Sequence, residues 1–378
     1  PYATPFMVSR GVMFTVVLVL LFSLCAARAV VTPLLGASRF RQRAVILGAG
    51  KAGRTLYEAL ASTPESAFEL VGFLDDDPEK LGRPIEDCLE PGSVPREKNS
   101  SVRVLGNRFD LPRILHEKSV STIVVAISER LDAELTQLLL DCLEHGVEIL
   151  PMAVVYEQLT GRVPVEHVGD SWYVALPLSH PGAGALSRLV NRLMDIFLAS
   201  LGMGFLLLVG PVIALAIRLE SPGPVFYRQK RVGRGGRIFE VWKFRSMIPE
   251  AENGRPLWAR ENDPRVTRVG RFLRATHLDE FPQFINILKG EMSAVGPRPE
   301  RPEFVEELEK VIPFYRLRHC VKPGMAGWGL VQQGYGSSTE DALVKLQYDL
   351  YYIKHQSLFL DIVILVRTFV DVLTGNGR

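Results

Sequence analysis

Twenty-two consecutive residues, 196–217 (IFLASLGMGFLLLVGPVIALAI), carry no charge, and the dipeptide Gly210-Pro211 falls inside them. By length alone such a run can cross a hydrocarbon core of roughly 30 Å as a helix. Proline interrupts that plan, because it lacks an N–H and kinks a helix. Fifteen residues precede the break, about 22 Å of helix, too short to span. Both flanks are also basic, with Arg188 and Arg192 before and Arg218, Arg228, Lys230 and Arg231 after. A spanning helix should carry its Lys and Arg on one side. The alternative of a second spanning helix is weighed against this, and a re-entrant hairpin helix over about 190–218, broken at Gly210 and Pro211, is expected.

A second uncharged run, 11–27, lies between Arg10 and Arg28. Seventeen residues are the low edge for a span, and arginines can snorkel at its ends. A secretory signal peptide and a buried helix are the rival readings; a membrane helix is expected. Arg28, Arg39, Arg41 and Arg43 follow it, which puts its C-terminal side in the cytoplasm. The chain begins at Pro1, so further sequence upstream is expected.

With these runs set aside, 378 residues suffice for two domains. The chain is 47% hydrophobic and 23% charged, which excludes a disordered chain or a collagen-like fibre. A net charge of +2 argues against a nucleic-acid binder. Cys25, Cys88, Cys142 and Cys320 form no CxxC pair, and the histidines form no HExxH. Any metal must then be held by carboxylates, phosphates and water.

Residues 41–150 read as an α/β unit. Ala44-Val45-Ile46-Leu47 leads into Gly48-Ala49-Gly50-Lys51-Ala52-Gly53, then a helical pattern, then the strand-like Leu70–Leu74 ending at Asp75. Strand, GxGxxG, helix, strand, acid is the dinucleotide-binding order. Gly48, Gly50 and Gly53 would let a diphosphate approach a helix N-terminus, and Asp75 would reach a ribose hydroxyl. The same glycines also serve tight strand–helix packing, so the ligand is left unknown. No tyrosine is followed four residues on by a lysine, against a short-chain dehydrogenase. Residues 151–187 read as a connector with short strands.

The charge concentrates farther on. Between Arg218 and Arg274 there are 14 Lys/Arg against 6 Asp/Glu, directly after the apolar hairpin. Attraction to anionic headgroups accounts for this without an active site; a phosphate-handling surface at the bilayer boundary accounts for it too. Thr276-His277-Leu278-Asp279-Glu280 then opens an amphipathic pattern, where Thr276 with Asp279 also fits a helix cap. Gly296-Pro297-Arg298-Pro299 is a rigid turn presenting one guanidinium.

Taken in order, Arg192-Leu-Met-Asp195, Gln229-Lys-Arg231-Val-Gly233, Trp242-Lys243-Phe244-Arg245-Ser246-Met247, Arg274, Leu278-Asp279-Glu280, Gly296-Pro-Arg298-Pro, Pro323-Gly-Met-Ala-Gly327-Trp328 and Asp349-Leu-Tyr-Tyr352 resemble the bacterial sugar transferase family, the monotopic polyprenyl-phosphate phosphoglycosyl transferases. The upstream part resembles its large members, in which several membrane helices and a Rossmann-like domain precede the catalytic domain. Family members commonly carry Ser-Pro at the hairpin break, where this chain has Gly210-Pro211.

The resemblance implies transfer of a sugar 1-phosphate from a UDP-sugar to polyprenyl (undecaprenyl) phosphate, with release of UMP. It implies Asp279 as nucleophile, forming an aspartyl-phosphosugar intermediate, and Glu280 as acid/base or metal partner. Mg²⁺ would sit at Asp279 and Glu280, and Lys243, Arg245, Arg274, Arg298, Arg231 and Gln229 would bind phosphate or substrate. The expected architecture is α/β: 1–40 a membrane helix and linker, 41–150 Rossmann-like and doubly wound, 151–187 the connector, and 188–378 an α-rich α/β phosphoglycosyl transferase domain. The expected setting is the bacterial inner membrane, with membrane lipids as partners, both domains on the cytoplasmic face, and a homodimer. Two rivals stand beside this: a membrane-bound NAD-dependent nucleotide-sugar-modifying enzyme, and a dinucleotide-sensing membrane scaffold.

Overall fold

The computed structural model describes residues 41–63, 66–88, 102–127, 131–167, 184–249, 263–334 and 338–374, with scattered positions between 12 and 27. The described positions of that first apolar run are helical and exposed; the rest of it, with Arg10, Arg28 and Arg39, lies outside the described residues. The chain divides into two compact units, Pro1–Thr160 and Gly161–Arg378.

In the first unit β1 (Gln42–Leu47), β2 (Phe68–Leu74), β3 (Val104–Gly106), β4 (Thr122–Val125) and β5 (Glu148–Pro151) form one sheet in the order β3-β2-β1-β4-β5. All four pairings are parallel. The alternation within β1 shows why both faces are covered. Ala44 and Ile46 pack with α1 (Lys51–Ala61) and α4 (Met152–Thr160), while Val45 and Leu47 pack with α2 (Leu111–Glu117) and α3 (Ala133–Glu144). Strands buried on both faces read as continuous apolar runs, which is how Ala44–Leu47 and Thr122–Val125 read.

The stretch expected to begin a connector is different. Residues 152–160 are helical and bury Met152, Val155 and Tyr156 in the core of the first unit. Their apolar spacing of three and four residues outweighs the nearby Pro151, which merely ends β5. Residues 168–183, where short strands were expected, lie outside the described residues.

The second unit is built along α5 (Ala185–Glu220), a helix of 36 residues. It stays helical through Gly210 and Pro211, so the expected break is not a helix end. Proline fits helical φ and forfeits a single hydrogen bond. Packing on both sides offsets that loss: Leu206, Ile213 and Ile217 share a cluster with Phe244 and Leu273. Asp195, Ala199, Gly202, Leu206, Ile213 and Ile217 form one buried stripe. The opposite side exposes Leu193, Phe197, Leu201, Leu208, Val212, Leu215 and Leu219.

Against the stripe lie the antiparallel hairpin β6 (Phe226–Val232) and β7 (Ile238–Phe244), then α6 (Arg268–Ala275), a 3-10 turn over Leu278–Gln283, and α7 (Phe284–Lys289). Gly290 ends α7 with φ 82°, as the Lys289-Gly290 pair predicts. Next come β8 (Ser293–Val295), α8 (Pro302–Val311), β9 (Gly324–Ala326), α9 (Trp328–Gln333), α10 (Thr339–Lys354) and α11 (Leu358–Thr374), with β8 parallel to β9.

Two side chains fasten the start of α5 to this body. Arg192 donates to the carbonyls of Ile287 and Leu288, both at 2.7 Å. Asp195 accepts from Ser293 Oγ at 2.9 Å and Ala294 N at 2.7 Å.

Candidate active site

The acidic pair sits in a strained piece of backbone. His277, a non-glycine residue, adopts φ 55° just before Leu278, and the chain then tightens into the 3-10 turn. Thr276 does not cap that turn: its hydroxyl donates backwards to Phe272 O at 2.9 Å and Leu273 O at 3.2 Å, finishing α6. The helix-cap reading of the two acids therefore has no support in the geometry.

Asp279 and Glu280 are both 7% exposed. Glu280 is saturated. Lys243 Nζ donates to its Oε1 at 2.8 Å, Arg298 Nη1 to its Oε2 at 3.2 Å, and Arg298 Nη2 to Oε1. Burial works against its ionisation, but Arg298 and Lys243 outweigh it and hold this carboxyl well below the usual range.

Asp279 receives no hydrogen bond from the described residues. Burial, reinforced by the neighbouring Glu280, pushes its carboxyl up to about 6, against the attraction of Lys243, Arg274 and Arg298. Those three cations converge on it.

Each cation is aimed by its element. Lys243 projects from β7, whose outer edge is held by one buried amide. Asn286 Oδ1 accepts from Trp242 N at 3.2 Å, and its Nδ2 donates to Glu240 O at 2.7 Å, so α7 takes the place of a neighbouring strand. Arg274 ends α6, and its Nε donates to Ser246 Oγ at 2.9 Å. Arg298 projects from the turn after β8.

The remaining candidates have other work. Arg245 is buried, and its guanidinium donates to Pro222 O at 2.8 Å, Ser221 O at 2.7 Å and Ser221 Oγ at 2.9 Å. It closes the C-terminal end of α5, where carbonyls lack partners and a cation suits the helix dipole. Its donors are turned to that helix end. Arg231 donates to Pro299 O at 2.9 Å and to Glu300 Oε2 at 3.3 Å, and its Nη2 donates to Gln229 Oε1 at 2.6 Å. Arg231 and Gln229 thus brace the turn that carries Arg298.

The glycine-rich loop of the first unit is arranged for packing. Gly48 has φ 110°, and a Cβ on Gly53 would lie 2.0 Å from Gly48 O; only Gly50 faces open space. Asp75 is turned onto its own loop: its carboxylate accepts from Ala49 N at 2.7 Å, Asp77 N at 3.0 Å and Lys80 Nζ at 3.1 Å. Ala49 and Asp75 meet because β1 and β2 run parallel and end side by side.

Reading the sequence overlooked Arg318, whose guanidinium bonds the carbonyl of Arg298 at 3.0 Å. It overlooked Ser246 as well, although that residue lies within the run Trp242–Met247. Nothing local marks Arg318, because its acidic partner, Asp349, is 31 residues away.

Known proteins resemble both units. The family model described as bacterial sugar transferase matches residues 186–375, and one described as a CoA-binding domain matches residues 2–153. The UDP-N-acetylgalactosamine-undecaprenyl-phosphate N-acetylgalactosaminephosphotransferase of Aeromonas hydrophila is 40% identical over 65% of this chain, and the chain spans 57% of that protein's length. The UDP-glucose:undecaprenyl-phosphate glucose-1-phosphate transferase of Escherichia coli (strain K12) is 35% identical, covering 89% of this chain and 68% of that protein. Its namesake in Xanthomonas campestris pv. campestris is 33% identical, covering 93% and 72%.

Proposed function

From the premise that this chain belongs to the bacterial sugar transferase family, we propose that it moves a sugar 1-phosphate from a UDP-sugar to undecaprenyl phosphate and so starts a surface polysaccharide. The observation that carries this reading is the unequal acidic pair: Glu280 saturated by Lys243 and Arg298, and Asp279 buried beside it with no donor among the described residues.

Asp279 is the nucleophile. One of its oxygens attacks the sugar-bearing phosphorus of the UDP-sugar, the bond to the bridging oxygen breaks, and UMP leaves with that oxygen. The aspartyl-phosphosugar then meets an oxygen of undecaprenyl phosphate at the same phosphorus. The Asp279 carboxylate departs, and the lipid diphosphate sugar is complete. Lys243, Arg274 and Arg298 surround the position where charge builds, and cost little reorganisation because their elements already hold them. Glu280 aims Lys243 and Arg298.

Among the described residues no group of three or more acids, histidines or cysteines could hold a metal. Asp279 nevertheless has oxygens free of hydrogen bonds, so Mg²⁺ fits there, with phosphate oxygens and water completing its shell. Glu280 does not fit as a ligand without giving up a cation. When bound, the metal offsets the charge of the diphosphate and of departing UMP.

We place α5 in one leaflet of the inner membrane, bent near Pro211, with both units on the cytoplasmic face. Its buried stripe meets the same body on both sides of the proline, and its basic flanks match at both ends, which supports a return rather than a crossing. For the first unit, the all-parallel order β3-β2-β1-β4-β5 with helices on both faces supports a Rossmann-like reading. The relatives' names carry two different sugars, so the donor is to be found by assay.

The test is UMP release in nanodiscs with Mg²⁺, undecaprenyl phosphate and a panel of UDP-sugars. Repeated turnover should need the lipid, the metal and Asp279; with the lipid withheld, a single equivalent of UMP should be released and a sugar phosphate left on the Asp279 peptide. Full activity of Asp279→Asn would overturn the mechanism.

A further inference from the structure

The turn that presents Arg298 does not support itself. Pro297 and Pro299 have no N–H to give, yet four successive carbonyls are each bonded from outside. Gly324 N donates to Pro297 O and Val232 N to Glu300 O, both at 2.9 Å. Arg231 Nη1 donates to Pro299 O at 2.9 Å, and Arg318 Nη2 to Arg298 O at 3.0 Å. The first two donors are strand or near-strand backbone, and Arg231 stands on β6. Arg318 alone depends on a distant helix for its own position.

Arg318 lies in a 3-10 turn, Tyr315–Cys320, that follows Phe314 at φ 60°. Its Nη2, the nitrogen on the Arg298 carbonyl, also donates to Asp349 Oδ2 of α10 at 2.8 Å, and its Nη1 donates to Tyr315 Oη at 2.6 Å. Arg318 is 6% exposed and Asp349 3%. We propose that Arg318 and Asp349 are a positioning pair for the reaction, setting Arg298 against Glu280 by gripping the Arg298 carbonyl from the far side of its turn.

The inference rests on the assignment of Asp279 and Glu280 as the reacting site, and extends it from the residues that touch substrate to a pair that does not. A buried ion pair that only stabilised the core could face any part of it. This one spends a guanidinium nitrogen on the carbonyl of the single turn residue whose side chain reaches Glu280. The planar fork of arginine allows that nitrogen to bridge a carboxylate and a carbonyl in fixed geometry, and an ammonium has no such fork. The chain of contact runs Asp349, Arg318, Arg298 backbone, Arg298 side chain, Glu280.

The experiment compares Asp349→Asn, Arg318→Lys and Tyr315→Phe with the wild-type chain in nanodiscs, using two readouts. The first is phenylglyoxal labelling of Arg298, read by peptide mass spectrometry and normalised to exposed Arg271. The second is kcat and KM for UMP release. With the pair disrupted, Arg298 should label several-fold faster relative to Arg271, as its grip on Glu280 loosens. kcat should fall by about 10–100-fold with little change in KM, the scale of a displaced catalytic group. Tyr315→Phe, which leaves the Arg298 carbonyl bonded, should have the smallest effect.

Combining Asp349→Asn with Arg298→Ala should cost no more than Arg298→Ala alone. Fully additive losses, or unchanged relative labelling of Arg298, would overturn the proposal and leave a core ion pair. Should Asp349→Asn not fold, Arg318→Lys carries the same two readouts with the charge retained. Should the wild-type chain release no UMP, the reaction assignment falls, and the labelling ratio still decides whether the pair holds Arg298.

Discussion

Adjacent acids follow β2, at Asp75-Asp76, and lie in the turn after α6, at Asp279-Glu280, and their fates differ. Asp75 is bonded by Ala49 N, Asp77 N and Lys80; Asp76 is bonded by the backbone and side chain of Arg108, which also pairs with Asp132. Both acids are used up in closing loops. In the second pair Glu280 is equally satisfied, but Asp279 is buried without a donor among the described residues. A carboxylate that no described side chain or amide has claimed is open to a ligand, where a loop-closing carboxylate is not. Opposite charge nearby is common to both places; the missing hydrogen bond is what separates them.

The sharpest way to break the comparison is to neutralise one acid from each pair. Asp279→Asn should lower kcat by something on the order of 10⁴-fold, as loss of a nucleophile does. Asp75→Asn should leave turnover within about twofold, the scale of a change outside a reaction centre. Equal losses in the two variants, measured as UMP release, would erase the distinction. Glu280→Gln comes next. It removes the counter-charge that aims Lys243 and Arg298, and about 10²-fold in kcat is expected, with Arg298→Ala similar.

The pH dependence sharpens the contrast further. The proposed nucleophile must be ionised, so kcat should fall as pH drops through about 6, the value to which burial and Glu280 push Asp279. Stability runs the other way. The folded chain holds this proton more tightly than the unfolded chain, whose carboxyl has the ordinary value of 3.8. Ionising Asp279 therefore costs folding free energy, increasingly as pH rises from that ordinary value and in full above the folded one. Asp279→Asn should be more stable than wild type at pH 7.5 by roughly 1–3 kcal/mol. Denaturant titrations should show that advantage fading towards pH 4.

Arg245 and Arg274 separate structure from chemistry in the same way. Arg245→Met strips donors from the end of α5 and should cost about 2–4 kcal/mol of stability, whereas Arg274→Met should mainly lower turnover. The smallest effects belong to the glycine loop. Gly53→Ala forces a methyl onto Gly48 O and should cost roughly 1–3 kcal/mol, while Gly50→Ala, with nothing within 4 Å of the new Cβ, should leave the melting temperature almost unchanged.

Much of this architecture is legible in the order of residues. Alternating strand and helix patterns around Ala44–Leu47 and Thr122–Val125 mark a parallel sheet, since apolar runs and helical spacing are local properties of the chain. The same holds for the apolar run 196–217, and for the acidic pair and the Pro-Arg-Pro turn in their order along the chain. The contacts of Arg245 and Asp75 are not legible there for a shared reason: a motif gives residue type and spacing, but not which neighbour will claim the side chain. The helix at 152–160 was hidden by Pro151 and by shortness, and burial against β1 made it stable.

By itself, then, the sequence determined the order of elements, the family, and the residue types available to the proposed phosphate-handling site. Tertiary structure decided which of them share that site. Lys243, Arg274 and Arg298 come from a strand, a helix and a turn, and only the packing of those elements against α5 makes their charges converge on Asp279. It also decided that Arg318 and Asp349 meet behind the turn. Coulomb attraction and desolvation depend on distance in space and on exclusion of water, and neither is written in distance along the chain.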